Sequence, residues 1–150
     1  MQHSSTLGRR SRGFTLIEVL SVLGIASVLS SIAYPSFQGS LQKARRTDAL
    51  VALTQVQISQ ERWFVNPRGS ATLAQLRQPA QTSSGHYALE MIAADESRYE
   101  VVARASGAQA RDGECRHLKL VVDGAVITRA SGADDSVANP PAANRRCWSL

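Results

Sequence analysis

A chain of 150 residues, 43% hydrophobic and 19% charged, has room for one modest domain plus an appendage and has an ordinary globular composition. With only 5% aromatic residues, a large aromatic-dominated core is excluded, and no internal repeat or long charge tract marks a solenoid or a disordered tail. The net charge of +5 argues little for nucleic-acid binding: Arg9, Arg10 and Arg12 all precede Phe14, and without them 14 basic side chains face 12 acidic ones.

The apolar residues are concentrated early. From Phe14 to Tyr34 the chain runs 21 residues with Glu18 as its one charge, about the length a helix needs to cross a bilayer. Leu, Ile, Val and Ala dominate, and the three arginines just before the run place the N-terminus in the cytoplasm. A secretory signal peptide is one reading, with Ser31-Ile32-Ala33 as a small-residue cleavage site, but the run exceeds the usual 7–15-residue apolar region. A plain anchor is a second, and it leaves a carboxylate costing about 3 kcal/mol deep in hydrocarbon without a reason. In the third, cleavage after Gly13 frees an amine on Phe14, a turn away from Glu18. That acid then pairs with the terminus of an adjacent identical helix.

The stretch RGFTLIEVL resembles the class III signal of type IV prepilins and pseudopilins, a short basic leader ending in Gly before Phe-Thr-Leu-Ile-Glu. The resemblance implies cleavage by a prepilin peptidase between Gly13 and Phe14, N-methylation of Phe14, and an assembly role for Phe14 and Glu18. It also places Pro35 where pilins carry a helix-weakening proline. Loss of an amide donor and crowding of the preceding turn predict a bend or local melting near Ala33–Ser36.

Beyond Pro35, Ala49, Ala52, Leu53, Val56 and Trp63 share a broad helical face that polar Gln60 interrupts, with Thr47, Asp48, Gln55, Gln57 and Arg62 suited to the exposed side. Lys43, Arg45 and Arg46 read as a solvated band. The expected organisation is a leader over 1–13, one long helix over 14–64 and a head over 65–150. The helix divides into a transmembrane, filament-core half at about 14–36 and an amphipathic half at about 37–64. Asn66-Pro67-Arg68-Gly69 stops the helix, and Pro79 and Gly85 bracket a loop with a short helical turn at Leu73–Leu76.

Strand periodicity follows. Tyr87, Leu89 and Met91 alternate with Ala88, Glu90 and Ile92; Tyr99, Val101 and Ala103 share one side; Leu118, Leu120 and Val122 share another. Asp95-Glu96 marks one turn and Asp123-Gly124 a two-residue hairpin. The fold class is α+β, a long N-terminal helix packed on a three- or four-stranded antiparallel sheet. The tail from Ser131, with Pro140 and Pro141, lacks regular periodicity. Cys115 and Cys147, behind an export-type segment, suggest a disulfide worth roughly 3 to 4 kcal/mol by loop closure, free thiols being the alternative. The resemblance extends here: pilins close a disulfide-bounded C-terminal loop over the sheet, and the strand pattern with the terminal Cys-Trp looks like the PilE-like minor pilins.

No catalytic or metal-binding constellation stands out. His3, His86 and His117 are isolated, Cys115 and His117 fall on one side of an expected strand, and Asp134-Asp135 lack EF-hand spacing. No enzyme, cofactor or metal is expected. The resemblance implies a structural minor subunit of a type IV pilus serving adhesion, twitching motility or DNA uptake. Its partners would be other pilins, the peptidase and the assembly machinery, in the inner membrane first with a periplasmic head and then outside the cell. Two alternatives stand beside it: a type II secretion pseudopilin, and a DNA-binding receptor in transformation. For the latter, Arg116, Lys119, Arg129, Arg145 and Arg146 are candidates to converge around the disulfide as phosphate contacts, with Trp148 as a stacking surface. The intact mass of the mature protein is expected to begin at a methylated Phe14; a start at Tyr34 would establish the secretory signal instead.

Overall fold

In a run of Leu, Ile, Val and Ala, a helix satisfies every backbone group within the segment itself. The computed structural model, which describes residues 13–65, 69–134 and 141–148, has one such helix, α1, over Leu16–Trp63. Leader residues 1–12 and the helix-stop residues 66–68 lie outside the described residues. The chain divides into two compact units, one ending at Phe37 and one from Gln38 onward. In the first, the apolar side chains of α1 are exposed, Phe14 by 87% and Ile17 by 69%, and the segment is long and apolar enough to cross a bilayer. The helix assignment passes through Pro35 without a break, so the local melting expected at Ala33–Ser36 does not occur. Proline removes one amide from the ladder, and the turns on either side are complete enough to carry the helix across it.

In the second unit α1 buries Ala49, Leu53, Val56 and Gln60. These meet a four-stranded antiparallel sheet in the order β1 (Tyr87–Ala94), β2 (Arg98–Ala105), β3 (His117–Asp123) and β4 (Val126–Gly132). Cross-strand partners lie on one face, so the register assigns Tyr87, Leu89, Tyr99, Val101, Ala103, Leu118, Leu120 and Val122 to the helix side. They form a single core with Ala49, Leu53 and Val56. Leu53, Leu118 and Leu120 are at most 2% exposed, and truncating such residues to alanine costs about 2–5 kcal/mol.

The opposite face carries Glu90, Val102 and Lys119 in one cross-strand row. Arg104 Nε donates to Glu90 Oε2 at 2.9 Å and Lys119 Nζ to Glu100 Oε2 at 2.9 Å, while Arg98 also binds Glu100. Val102, among these side chains, is only 1% exposed. A β-bulge between Met91 and Ala93 leaves Ile92 outside the regular pairing.

The β3–β4 loop is Gly124-Ala125, closed by the Asp123–Val126 pair, one residue beyond the expected Asp123-Gly124. Gly124 at φ 54° supplies the positive dihedral that a two-residue hairpin requires first. Between helix and sheet, Thr72 and Gln75 cap each other around a single turn at residues 73–77. Gln60, entirely buried, donates to the Ala71 carbonyl and accepts from its amide at 3.0 Å, which attaches this connecting segment to α1. What had the look of an interruption in the apolar face is therefore a backbone mimic for an otherwise unpaired loop.

The tail differs from expectation. Pro141–Trp148 forms a helix, α2, and two 3-10 turns, Gly107–Arg111 and Gly113–Cys115, precede β3. Eight residues allow two turns, too few for periodicity to register. Proline as first residue and Arg145 and Arg146 in the last turn are nonetheless ordinary helix boundaries.

Candidate functional site

Two places concentrate chemistry. At the start of α1, Thr15 precedes the first helical residue and Glu18 lies three further on, the spacing of a capping box. Thr15 N and Oγ1 each donate to Glu18 Oε2 at 2.9 Å, and Glu18 N donates to Thr15 Oγ1 at 3.3 Å. The carboxylate is thus hydrogen-bonded inside its own chain. Thr-x-x-Glu ahead of an apolar run is the sequence signature of this arrangement, and Thr15 joins Glu18 in it. Gly13 and Phe14 are exposed, and a side chain at Gly13 would meet nothing within 4 Å.

The second place is the disulfide-closed end of the sheet. Cys115 and Cys147 are bonded, their Cα atoms 5.4 Å apart across 32 residues of sequence, and both are buried in the core. Cys115 ends a 3-10 turn and does not belong to the strand that begins at His117, so the two do not share a strand face. The His117 imidazole is held below its ordinary value, first by burial.

Helix α2 packs along β4. Asn144 Nδ2 donates to the Arg129 carbonyl at 2.6 Å, and Trp148 Nε1 to the Ala130 carbonyl at 3.0 Å. These two bonds anchor α2 to the outer edge strand of the sheet.

The sequence-derived basic set is divided by this architecture. Arg116, Arg145 and Arg146 flank the two cysteines and are exposed. Arg146 Nη2 meets Glu114 Oε2 at 2.6 Å. The Arg129 guanidinium lies over the Trp148 ring, 5.7 Å from its centroid. Lys119 does not join them. It projects from the opposite face of the sheet, opposite Ala130 in register, with its charge against Glu100. Alternation along β3 decides this, since Leu120 and not Lys119 is the cross-strand partner of Arg129. Trp148 is half-buried, its N–H bonded and one face beside Arg129, so it is a platform for an arginine and not an open stacking surface.

Arg46 requires a correction. It is no part of a solvated band: its side chain is 16% exposed and grips Asp112, itself 4% exposed, through Nε–Oδ2 at 2.6 Å and Nη2–Oδ1 at 2.7 Å. Its Nη1 donates to the Arg146 carbonyl at 3.2 Å. Buried Gln109 extends the cluster, its Nε2 lying at 3.0 Å from both Asp112 Oδ2 and the Tyr87 hydroxyl. No local sequence signal joins residues 66 positions apart. Asp134 ends the described part of the strand connection, and Asp135 lies outside it. Among the described residues no group of three or more His, Cys, Asp or Glu is arranged to hold a metal.

A family model described as "Type IV minor pilin ComP, DNA uptake sequence receptor" matches residues 35–119, more than half of the chain. The chain belongs to this minor pilin family. A second model, the prokaryotic N-terminal methylation motif, matches residues 8–34. Prepilin peptidase-dependent protein D of Escherichia coli (strain K12) is 51% identical over 41 residues, 27% of this chain. Type II secretion system core protein G of Pectobacterium carotovorum subsp. carotovorum is 44% identical over 43 residues, 29% of this chain. The chain spans only 28% of the length of each of these relatives. The fold of this minor pilin is the pilin fold, a long N-terminal helix on a four-stranded antiparallel sheet closed by a disulfide.

Burial around the polar cluster has a pH consequence. Desolvation pushes the Tyr87 hydroxyl up to about 12, opposed by the Gln109 hydrogen bond, and desolvation with the charge of Glu61 pushes Tyr99 to about 12 as well. Both values lie above the unfolded phenol's, about 10, so the folded pilin holds these protons more tightly. Their contribution is complete below pH of about 10 and is lost as pH rises towards 12. Denaturation midpoints measured across that window are expected to fall, and to fall less in a Tyr87→Phe, Tyr99→Phe double variant; equal slopes in the two proteins would contradict the assignment.

Proposed function

We propose that this pilin is made as a prepilin with a leader over 1–13, cut by a prepilin peptidase between Gly13 and Phe14 and methylated on the new amine. The apolar half of α1 then holds it in the inner membrane with its head in the periplasm. It enters a type IV pilus as a minor subunit, through contacts of Phe14, Glu18 and the Pro35 region with adjacent pilins, and so reaches the cell exterior. Glu18, hydrogen-bonded by Thr15 but uncompensated in charge, pairs there with the Phe14 amine of a neighbour. Incorporation of Glu18→Ala into sheared pili is expected to drop sharply while membrane insertion and cleavage persist. Normal pilus levels of that variant would remove the assembly role.

Within the filament the head acts as a DNA receptor. The observation that carries this reading is the family match over 35–119 to a DNA uptake sequence receptor. The arginines around the disulfide support it: Arg116, Arg145 and Arg146 beside the cysteines and Arg129 held on Trp148. A guanidinium held beside an indole through its π-face interaction can still direct N–H groups to a phosphate or a base edge. Lys119, on the other face, stands outside this surface. The likeness to a type II secretion core protein favours the pseudopilin alternative only in the short matched segment. Full-length mature pilin in detergent, titrated with duplex DNA at several salt concentrations, is expected to bind with a logarithmic salt slope of about −3 to −4 for four phosphate contacts. Absence of binding at low salt would end the receptor reading.

A further inference from the structure

The disulfide joins the 3-10 turn Gly113–Cys115 to helix α2, but it joins neither of them to α1. Both cysteines also pack in the core with Ala49, Leu53 and Val56 of α1, and the main polar connection is made by one guanidinium. Each of the three Arg46 nitrogens has its own acceptor: Nε on Asp112 Oδ2, Nη2 on Asp112 Oδ1, and Nη1 on the Arg146 carbonyl. Asp112 stands three residues before Cys115, and Arg146 immediately before Cys147. A single side chain of α1 therefore holds the ring on both sides of its sulfur bridge. Gln109 adds a second tie, its amide donating to the Gln42 carbonyl one helical turn before Arg46 at 3.1 Å. Removing one partner of a nearly buried, bidentate pair leaves the other charge desolvated and unmatched.

We infer that Arg46 is a positioning residue, fixing the disulfide-closed edge on α1 and thereby the orientation of the exposed arginines Arg116, Arg145 and Arg146 relative to Arg129 on β4. The part concerning DNA rests on the receptor reading above; the part concerning the edge does not. Arg46 itself contributes little to attracting phosphate, because its charge is matched by Asp112 and largely shielded from solvent. Its effect on binding is geometric.

Arg46→Lys separates geometry from charge. Lysine keeps the positive charge but carries all its donors on one nitrogen, and so cannot reproduce three bonds from three positions of a planar fork. Full-length mature pilin in detergent is compared as wild type, Arg46→Lys, Asp112→Asn, and Leu53→Ala. The last is a core truncation away from this cluster, included to match general loss of stability. In both cluster variants, amide hydrogen exchange at 113–115 and 142–148 is expected to rise about ten-fold or more beyond the Leu53→Ala control. Protection in β2 and β3 stays within the control's range. DNA affinity is expected to fall about ten-fold, with a salt slope shallower by about one contact, although the net charge of Arg46→Lys is unchanged.

Exchange at both segments no faster than in the control would overturn the inference, and either variant suffices if the other fails to fold. Faster exchange with wild-type affinity and salt slope would overturn the part that concerns DNA. A wild type that binds no DNA would remove the receptor reading, and the exchange measurement alone would then decide the role of Arg46 at the edge.

Discussion

One stripe along the second half of α1 organises the head. Arg46, Ala49, Leu53, Val56 and Gln60 recur at intervals of three and four, the spacing that keeps side chains on one side of a helix. The three apolar members bury themselves against Tyr87, Tyr99, Leu118 and Leu120 and supply the hydrophobic driving force. The two polar members stand at the ends of the stripe, where the sheet no longer covers it. Each captures a segment that has no strand partner of its own: Gln60 takes the backbone of Ala71, and Arg46 takes Asp112 and the carbonyl of Arg146. Moving the helix by one turn along the sheet would break the apolar contact and both polar ones together. The position of the connecting loop, the sheet and the disulfide end are in this sense a single constraint.

That stripe also marks the limit of what was legible in the sequence. Ala49, Leu53 and Val56 were readable because burial of apolar side chains is a property of the residue type, and strand alternation sorted both faces of β1, β2 and β3 for the same reason. Arg46 and Gln60 have the same spacing and were given to solvent or treated as an interruption. Their burial depends on partners elsewhere in the chain, and the Asp112 partner of Arg46 leaves no mark near residue 46. The Thr15–Glu18 capping box is a different kind of omission. It is local, four residues long and visible in Thr-Leu-Ile-Glu, a pattern that specifies hydrogen bonding whether or not the segment lies in a membrane. Helix α2 falls between these cases: its boundaries are marked, while its stability comes from Asn144 and Trp148 docking on β4 and from the Cys115 bond, all of them tertiary.

Counting cations overstates the electropositive surface. Of the five basic residues considered together, Lys119 is turned to the other face and matched by Glu100, and Arg146 meets Glu114. Placement matters more than number. Arg129 lies beside the Trp148 ring, which favours one placement of its guanidinium over others. The ring around Cys115 and Cys147 is fixed from one side by its sulfur bond and from the other by Arg46. Under the receptor reading proposed above, rigidity of this surface supplies selectivity and its modest net charge sets the range of attraction for a polyanion.

The acid in the apolar segment follows a related division. A carboxylate in a poorly solvated place has two separate requirements: donors for its lone pairs, and a positive charge to offset its own. Thr15 meets the first through its amide and hydroxyl, and the helix N-terminus adds a favourable partial charge. No side chain of the segment meets the second, because residues 13–37 contain neither lysine nor arginine. Hydrogen bonding lowers the cost of Glu18 near a membrane interface, but hydrogen bonds alone supply no full positive charge. Under the assembly proposed above, that charge is the Phe14 amine of a neighbouring chain, and the acid then favours the polymer over the lone subunit. A leucine at position 18 would be content in lipid and would give the polymer no such advantage.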